Sequence, residues 1–494
     1  MLRRLAVRLL AGAVVVGLLA ACTPAGAEHP EPAAAKDVGV QLFHWTWDAI
    51  AAECPALAEA GYGWVLTSPP QEHVLGEQWW TVYQPVSYRV ESRLGTREQL
   101  AAMTAACAEV GVDVVADAVV NHMTGQDEPG VGWAGSRYAH YDYPGLWSDA
   151  EGHFHHCGLT ADDDISRYDD VVEVRSCELV NLADLATETE PVRARLREYL
   201  ADLVDLGIAG VRIDAAKHMA PPDVEAIVAD LPAQALVLSE VIRGPQEPIR
   251  PEEYLGAGDV LEFAWGRDVK GIVQGGALRL ATELGSHEGS ATYLPSDAAW
   301  IFVDNHDTER GRQTLSYADG QDYVLANVLM LASHYGRPIV YSGYAFSDRD
   351  AGPEQDGSGA VLPATCPEDA GPARAWADGE WVCQHAWPEI AGVVGWRAAV
   401  GPAGEDAQVQ VDGRVVAFSR GERGWLVVNG NAEDVTSTFE TGLLPGAYCD
   451  VVAGRLADGA CTGQVVEVAD GGHATVTVPA RSAVAVHVGA RQDG

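Results

Sequence analysis

Four apolar runs of this chain end in charge. They close as Asp117-Ala118-Val119-Val120-Asn121-His122, Arg212-Ile213-Asp214, Ser239-Glu240-Val241 and Asp304-Asn305-His306-Asp307. A charge at the end of a buried run is costly unless it is paired or used. A single Asp in such a place is commonly a cap or a turn former. Four charged ends on four similar runs are hard to explain that way. Arg212 stands two residues before Asp214, on the same face of a strand, where its cation favours the ionised carboxylate. Glu240 follows the apolar stretch Leu236–Ser239 with no base adjacent in sequence, and desolvation there raises a carboxyl pKa. His122 and His306 bring donors to the same rim. One ionised and one protonated carboxyl is the pairing that glycoside hydrolysis needs. The first attacks the anomeric carbon or positions water, and the second protonates the leaving oxygen.

Such groups must be held by a frame. From residue 38 the chain alternates short apolar runs with helical patterns. The runs are Val38–Trp45, Gly63–Pro69, Asp113–His122, Gly210–Ala215, Leu236–Val241, Asp259–Trp265, Trp300–Asp307 and Pro338–Phe346. Near-continuous apolarity is expected of strands buried on both faces. Helices are predicted at Trp47–Ala60, Thr96–Val110, Glu190–Leu206, Pro222–Leu231, Arg267–Glu283 and Asp322–Ser333. The pair Thr96 and Gln99 has capping-box spacing. Alternating strands and helices imply parallel β/α units, and eight of them imply an α/β fold of the (β/α)8 TIM-barrel type. Its catalytic groups sit at the C-terminal strand ends, where Asp214, Glu240 and Asp307 converge. The barrel is predicted over 37–122 and 185–399. Residues 123–184, too long to be one structureless loop, are read as an inserted small irregular domain after strand three. Residues 400–490 carry short alternating runs with turns, as in an antiparallel β-sandwich.

The chain has 494 residues, 47% hydrophobic and 21% charged, enough for several domains and a large core. Its formal charge of −39 repels phosphate backbones and argues against nucleic acid as a partner. Residues 1–21 read as a signal peptide, with Arg3, Arg4 and Arg8 before an apolar stretch too short to span a bilayer. Leu19-Ala20-Ala21-Cys22 resembles a bacterial lipobox with Cys22 as first mature residue; ordinary cleavage after a small residue is the alternative. A membrane contact is expected only through that lipid. Residues 22–36 form an Ala- and Pro-rich linker. The protein is therefore read as exported, extracellular or anchored at a bacterial surface, and as a monomer. Of nine Cys, eight remain beside Cys22. Near neighbours suggest Cys54–Cys107, Cys157–Cys177, Cys366–Cys383 and Cys449–Cys461, although eight Cys allow about 105 pairings.

The segments DAVVNH (Asp117–His122), GVRIDAAKH (Gly210–His218), Glu240-Val241-Ile242 and FVDNHD (Phe302–Asp307) resemble, in order, the four signature regions of the α-amylase family of glycoside hydrolases. Trp79-Trp80, Tyr83–Tyr88 and Ser68-Pro69-Pro70 resemble its animal-type branch, which includes actinobacterial secreted members. The resemblance runs from about Val38 to Val488. It implies Asp214 as nucleophile, Glu240 as acid/base and Asp307 as the group that binds sugar hydroxyls and stabilises the transition state. Arg212 would orient Asp214, and His122 and His306 would hydrogen-bond the sugar. Trp79, Trp80 and Tyr83 would stack on glucose rings, Gln84 would join this substrate set, and Lys217 would reach the leaving-group side. One structural Ca2+ would be held between barrel and insertion by Asn121, Asp184 and the main-chain carbonyls of Arg175 and His218, oxygen donors suited to a hard cation.

Two departures stand out. Arg212 and Asn305 fit two of the places that bind chloride in animal-type members, but the second Arg place falls at Ala345, so chloride is not expected. The Gly-rich loop after Asp307 is replaced by Thr308-Glu309-Arg310-Gly311-Arg312-Gln313. The leading expectation is a retaining, endo-acting α-amylase that hydrolyses internal α-1,4 bonds of starch, glycogen and maltooligosaccharides. The alternatives are a transglycosylating or exo-acting maltooligosaccharide enzyme, and a surface lipoprotein that binds α-glucan without cutting it.

Overall fold

The computed structural model describes residues 37–285, 292–401 and 406–492. The segments read as signal peptide, Cys22 and linker lie outside the described residues. Eight parallel strands close into a barrel: β1 (Gly39–Leu42), β2 (Trp64–Leu66), β3 (Asp113–Ala118), β4 (Gly210–Ile213), β5 (Leu236–Ser239), β6 (Asp259–Glu262), β7 (Ala299–Phe302) and β8 (Arg337–Ser342). Each strand pairs with its sequence neighbours, and β8 returns to β1. Trp64, Leu66, Val115, Leu238, Leu261, Trp300, Phe302 and Ile339 form one cluster inside it. Trp64 and Trp300 meet edge to face at 5.0 Å. The cost of so large a filler is met at Gly39, where a Cβ would lie 2.2 Å from the Trp64 ring. Side-chain alternation on the same strands aims Gln41, Asp117, Arg212 and Tyr341 inward one layer higher. The apolar layers thus end in a polar one at the mouth.

The helices around the barrel follow local signals. Trp47–Ala60 starts at the Thr46 cap and ends at Gly61 with φ +105°. Arg97–Glu109 carries the full Thr96–Gln99 capping box. Two strand assignments are corrected. Phe263–Trp265 belongs not to β6 but to a helix, Phe263–Gly275, whose first turn is capped by Glu262 accepting from the Ala264 amide at 3.0 Å. A short apolar run does not separate a buried strand from a buried helix start. Likewise β7 ends at Phe302, and Asn305 caps a new helix, His306–Gly311. The last barrel helix, Pro388–Val400, is one more than the sequence pattern predicts; it opens on a Pro suited to a first turn.

Between Asn121 and Leu185 the chain makes short two-residue ribbons, a 3-10 turn at Asp149–Glu151 and one α-helix, Val171–Ser176. Its two ends are tied by Met123 N–H to Ala183 O at 2.9 Å and by Leu185 N–H to Asn121 O at 3.0 Å. Beyond residue 406 a four-stranded antiparallel sheet (407–412, 415–420, 424–429, 482–487) is accompanied by two-stranded ribbons (435–440 with 473–478, 446–449 with 465–468). Trp425, Tyr448, Val466 and Val476 lie in the core between them. All four disulfides join the expected partners, Cys54–Cys107, Cys157–Cys177, Cys366–Cys383 and Cys449–Cys461. Among the described residues no helix is long and apolar enough to cross a membrane.

Candidate active site

The polar layer opens into a cleft of about 480 Å³. Asp214, Glu240 and Asp307 line it together, with Trp79, Trp80, Tyr83, His122, Lys217, His218 and His306. Arg212 lies behind these carboxylates, fully buried. Its Nη1 donates to Asp117 Oδ1 at 2.6 Å and to Asp214 Oδ1 at 2.8 Å. Its Nη2 lies 2.9 Å from Glu240 Oε1, an ion pair without a well-aimed hydrogen bond. One guanidinium therefore serves three acids. Burial works against the Arg212 charge, but Asp117, Glu240 and Asp214 outweigh it and hold the cation.

This corrects the contrast drawn from sequence. Glu240 has no base beside it in the chain but shares Arg212 in space. An asymmetry survives for another reason. Burial raises both pKa values and Arg212 lowers both, but the Asp214 charge pushes Glu240 further up. Burial and Glu240 together push Asp307 up to about 7. Glu240 Oε2 accepts from the Ala215 amide at 2.9 Å. Ala215 reaches that position with φ +51°, a left-handed conformation that side chains rarely adopt and that clusters at functional sites.

Burial lowers His122 to about 4, and burial with Arg212 and Arg310 lowers His306, so both are neutral near pH 7. His306 is stacked between Phe43 (4.7 Å) and Tyr83 (5.2 Å). Tyr83 is held more firmly than a simple platform, because its hydroxyl donates to Asp117 Oδ2 at 2.9 Å. Asp117, the first residue of its motif, had no role assigned from sequence. Burial pushes it up to about 7 despite Arg212.

Gln84 does not line the cleft. Its Oε1 accepts from Thr124 Oγ1 at 2.8 Å and from the Gly125 amide, tying the β2 loop to the insertion. Lys217 lines the cleft, but its ammonium is paired with Glu247 and lies 5.1 Å from the Tyr168 ring centre. Tyr168 and Glu247 join the lining from loops without a motif, where no local pattern marks them. The segment after Asp307 is a packed helix. Arg310 sits over Phe346 at 4.2 Å and Trp79 at 5.1 Å, and donates to Glu309 at 2.8 Å and His306 O at 3.0 Å.

Leu179 and Val180 also line the cleft. Val180 is 74% exposed and has φ +49°. A β-branched residue in that region is a genuine backbone outlier. It is held there by its neighbours: the Asn181 amide donates to Asp164 Oδ1 at 2.5 Å, and Leu182 N–H to Leu179 O at 3.1 Å.

The residues named for Ca2+ fit an oxygen-seeking cation. Asn121 Oδ1 is buried without a hydrogen-bond partner. Asp184 is buried nearby in the chain fold, bridged to His122, and burial pushes its carboxyl up to about 7 although His155 Nδ1 donates to it at 2.6 Å. His218 lies at the cleft wall, its ring bonded to Val174 O at 3.1 Å. The Arg175 guanidinium points to Glu253 at 3.0 Å, which leaves only its main chain for such a role. A separate group, Glu53, Cys366 and His385, is no metal site, because Cys366 is consumed by its disulfide.

Comparison with known proteins agrees with this architecture. The family described as "Alpha amylase, catalytic domain" matches residues 83–242, and "Alpha amylase, C-terminal all-beta domain" matches residues 407–489. An α-amylase of Streptomyces violaceus is 41% identical over 97% of this chain and 78% of its own length. One from Tenebrio molitor is 38% identical over 92% of this chain and 97% of its own. The solved complex of a mutant α-amylase I from Eisenia fetida with maltohexaose superposes with a TM-score of 0.84 at 32% identity, covering 92% of this chain and 97% of that one. With its closed barrel, its C-terminal β-domain and these relatives, the chain belongs to the α-amylase family and is a glycoside hydrolase.

Proposed function

We propose that the protein is a retaining, endo-acting α-amylase that hydrolyses internal α-1,4 bonds of starch, glycogen and maltooligosaccharides. The observation that carries this reading is the convergence of Asp214, Glu240 and Asp307 in one aromatic-walled cleft over a shared Arg212. Asp214 attacks the anomeric carbon as Glu240 gives its proton to the departing glycosidic oxygen. Glu240 then takes a proton from water, which releases the sugar from Asp214. Asp307 binds ring hydroxyls and stabilises the cationic transition state. Neutral His306 faces the sugar without opposing that charge. His122, neutral as well, is held at the rim by its Nε2 on Tyr83 O at 3.0 Å and by the Asn121 amide on its Nδ1 at 3.3 Å, and so acts there as a positioning residue. Arg212 is the positioning residue, and Trp79, Trp80 and Tyr83 supply aromatic faces for the CH faces of glucose.

Asn121, Asp184 and the main-chain carbonyls of Arg175 and His218 would hold one Ca2+. That ion supplies a structural clamp between insertion and barrel. No chloride requirement is proposed: Ala345 offers no cation, and the Asn305 side chain accepts from the Asp307 and Thr308 amides as a helix cap. Four disulfides support export to an oxidising compartment. Lipidation of Cys22 remains part of the proposal, tested by mass measurement of the mature N-terminus.

The test is cleavage of soluble starch and reducing-end-blocked maltoheptaose, with and without EDTA. Iodine staining should fall ahead of reducing-sugar release. EDTA should abolish activity and lower the thermal midpoint, and added Ca2+ should restore both; a ligand at 1,000 times its Kd adds about 4 kcal/mol. No cleavage by folded, Ca2+-supplied protein would remove the hydrolase reading in favour of glucan binding alone. Val180 gives a second test. Its strained backbone presents an isopropyl group to the cleft, so Val180→Gly should relieve strain while removing the contact. The thermal midpoint should hold or rise while KM for maltoheptaose rises roughly threefold. An unchanged KM would leave Val180 without a part in binding.

A further inference from the structure

A second groove, about 960 Å³ in volume, lies beside the cleft. Trp80 lines both. The groove runs between the loop after β2 and the loop after β8, which are joined by Trp79 N–H to Asp350 O at 3.4 Å and by Gln355 Nε2 to Glu77 O at 3.1 Å. Leu75, 61% exposed, and exposed Glu77 and Asp350 lie along it. Its other aromatic wall is Trp133, from the insertion.

Trp133 is carried on a built support. The turn that bears it is clamped by Glu72, a fully buried carboxylate. Glu72 Oε1 accepts from the Ala134 amide at 2.8 Å and the Ser136 amide at 3.0 Å, while its Oε2 accepts from Ser87 at 2.5 Å. The Trp133 amide donates to His73 O at 2.9 Å, and its ring stacks on the His73 ring at 5.8 Å. Gly359 keeps the approach open, since a Cβ there would stand 3.3 Å from the indole. A partly exposed indole fixed this firmly offers contact area at little entropic cost.

The barrel topology gives a direction. β1 separates β8 from β2, and β4 and β5 lie across the mouth from them. Lys217 and Glu247, from the loops after β4 and β5, therefore mark the opposite end of the cleft from Trp80. A chain crossing the catalytic carboxylates from the Lys217 side leaves over Trp80 into the groove.

We propose that this groove binds the continuation of the α-glucan chain on its non-reducing side, with Trp133 as a further stacking platform after Trp80. The proposal rests on the α-amylase reading of the cleft. Aromatic faces suit the CH faces of glucose, and Glu77 and Asp350 can accept from its hydroxyls. The groove would make the enzyme favour long chains over short ones.

The test compares kcat/KM on maltoheptaose and on maltotetraose for the full chain, Trp133→Ala and Trp133→Phe. The long-to-short ratio should fall roughly fivefold in Trp133→Ala, the size of one aromatic contact, and recover in Trp133→Phe. If Trp133→Ala does not fold, a Leu75→Ala, Asp350→Ala double variant at exposed positions should lower the same ratio. An unchanged ratio overturns the proposal. So does an equal loss on both substrates, which would make Trp133 a support of the cleft itself. Failure of the unaltered chain to cut either substrate would overturn the amylase reading, and the groove assignment with it.

Discussion

Asp214→Asn should lower kcat on maltoheptaose by about 10,000-fold or more while the protein stays folded, because the amide cannot form the glycosyl ester. Glu240→Gln should lose about 100- to 10,000-fold on the same substrate, since the departing sugar then leaves without a proton. The two losses separate on maltosyl fluoride, whose fluoride leaves without protonation. Glu240→Gln should regain most of its first-step rate there, and Asp214→Asn should regain none. The pH profile adds a sign. Productive attack needs Asp214 ionised and Glu240 protonated, and burial with the Asp214 charge raises Glu240. The alkaline limb of kcat/KM on maltoheptaose should therefore report loss of that proton, and Glu240→Gln on the fluoride should lack this limb. Recovery of Asp214→Asn rather than Glu240→Gln on the fluoride would exchange the two roles.

Arg212→Leu should cost about 3–5 kcal/mol of stability near pH 7.5 and nearly all activity, because it leaves Asp117, Asp214 and Glu240 buried without their shared cation. The pH dependence follows from the direction of the shifts. Asp117 stands at about 7 in the folded protein against 3.8 for an ordinary Asp, so the folded state binds more protons between those values. That contribution to stability is greatest at low pH and is lost as pH rises toward 7. Without Arg212 the carboxyls rise further and the loss continues to higher pH. The gap in thermal midpoint between Arg212→Leu and the unaltered chain should widen from pH 5 to pH 8. Arg212→Lys should regain part of the stability but little activity, since a point charge does not hold three carboxylates as a planar fork does. A constant gap across pH would mean that Arg212 supports the barrel by packing alone.

The sequence by itself determined the alternation of strands and helices, the barrel it implies and the three carboxyls at its mouth; it suggested the cysteine pairing, which the fold then decided. Each is written in local pattern. Apolar runs of strand length recur between helical periods, each cysteine pairs with its neighbour in cysteine order, and Asp214, Glu240 and Asp307 end buried runs where an idle charge would be costly. Tertiary structure decided what no local pattern encodes. Asp117 and Tyr83 are far apart in the chain, yet closure of the barrel makes them partners and places Arg212 among three acids at once. Gln84, read as a substrate contact, is turned to the insertion because its amide matches the Thr124 and Gly125 donors there. The left-handed backbone at Ala215 and Val180 and the fixed placement of Trp133 are held by hydrogen bonds between separate segments of the chain. Periodicity records which face of an element is buried. It does not record which other element, brought there by the fold, that face will meet.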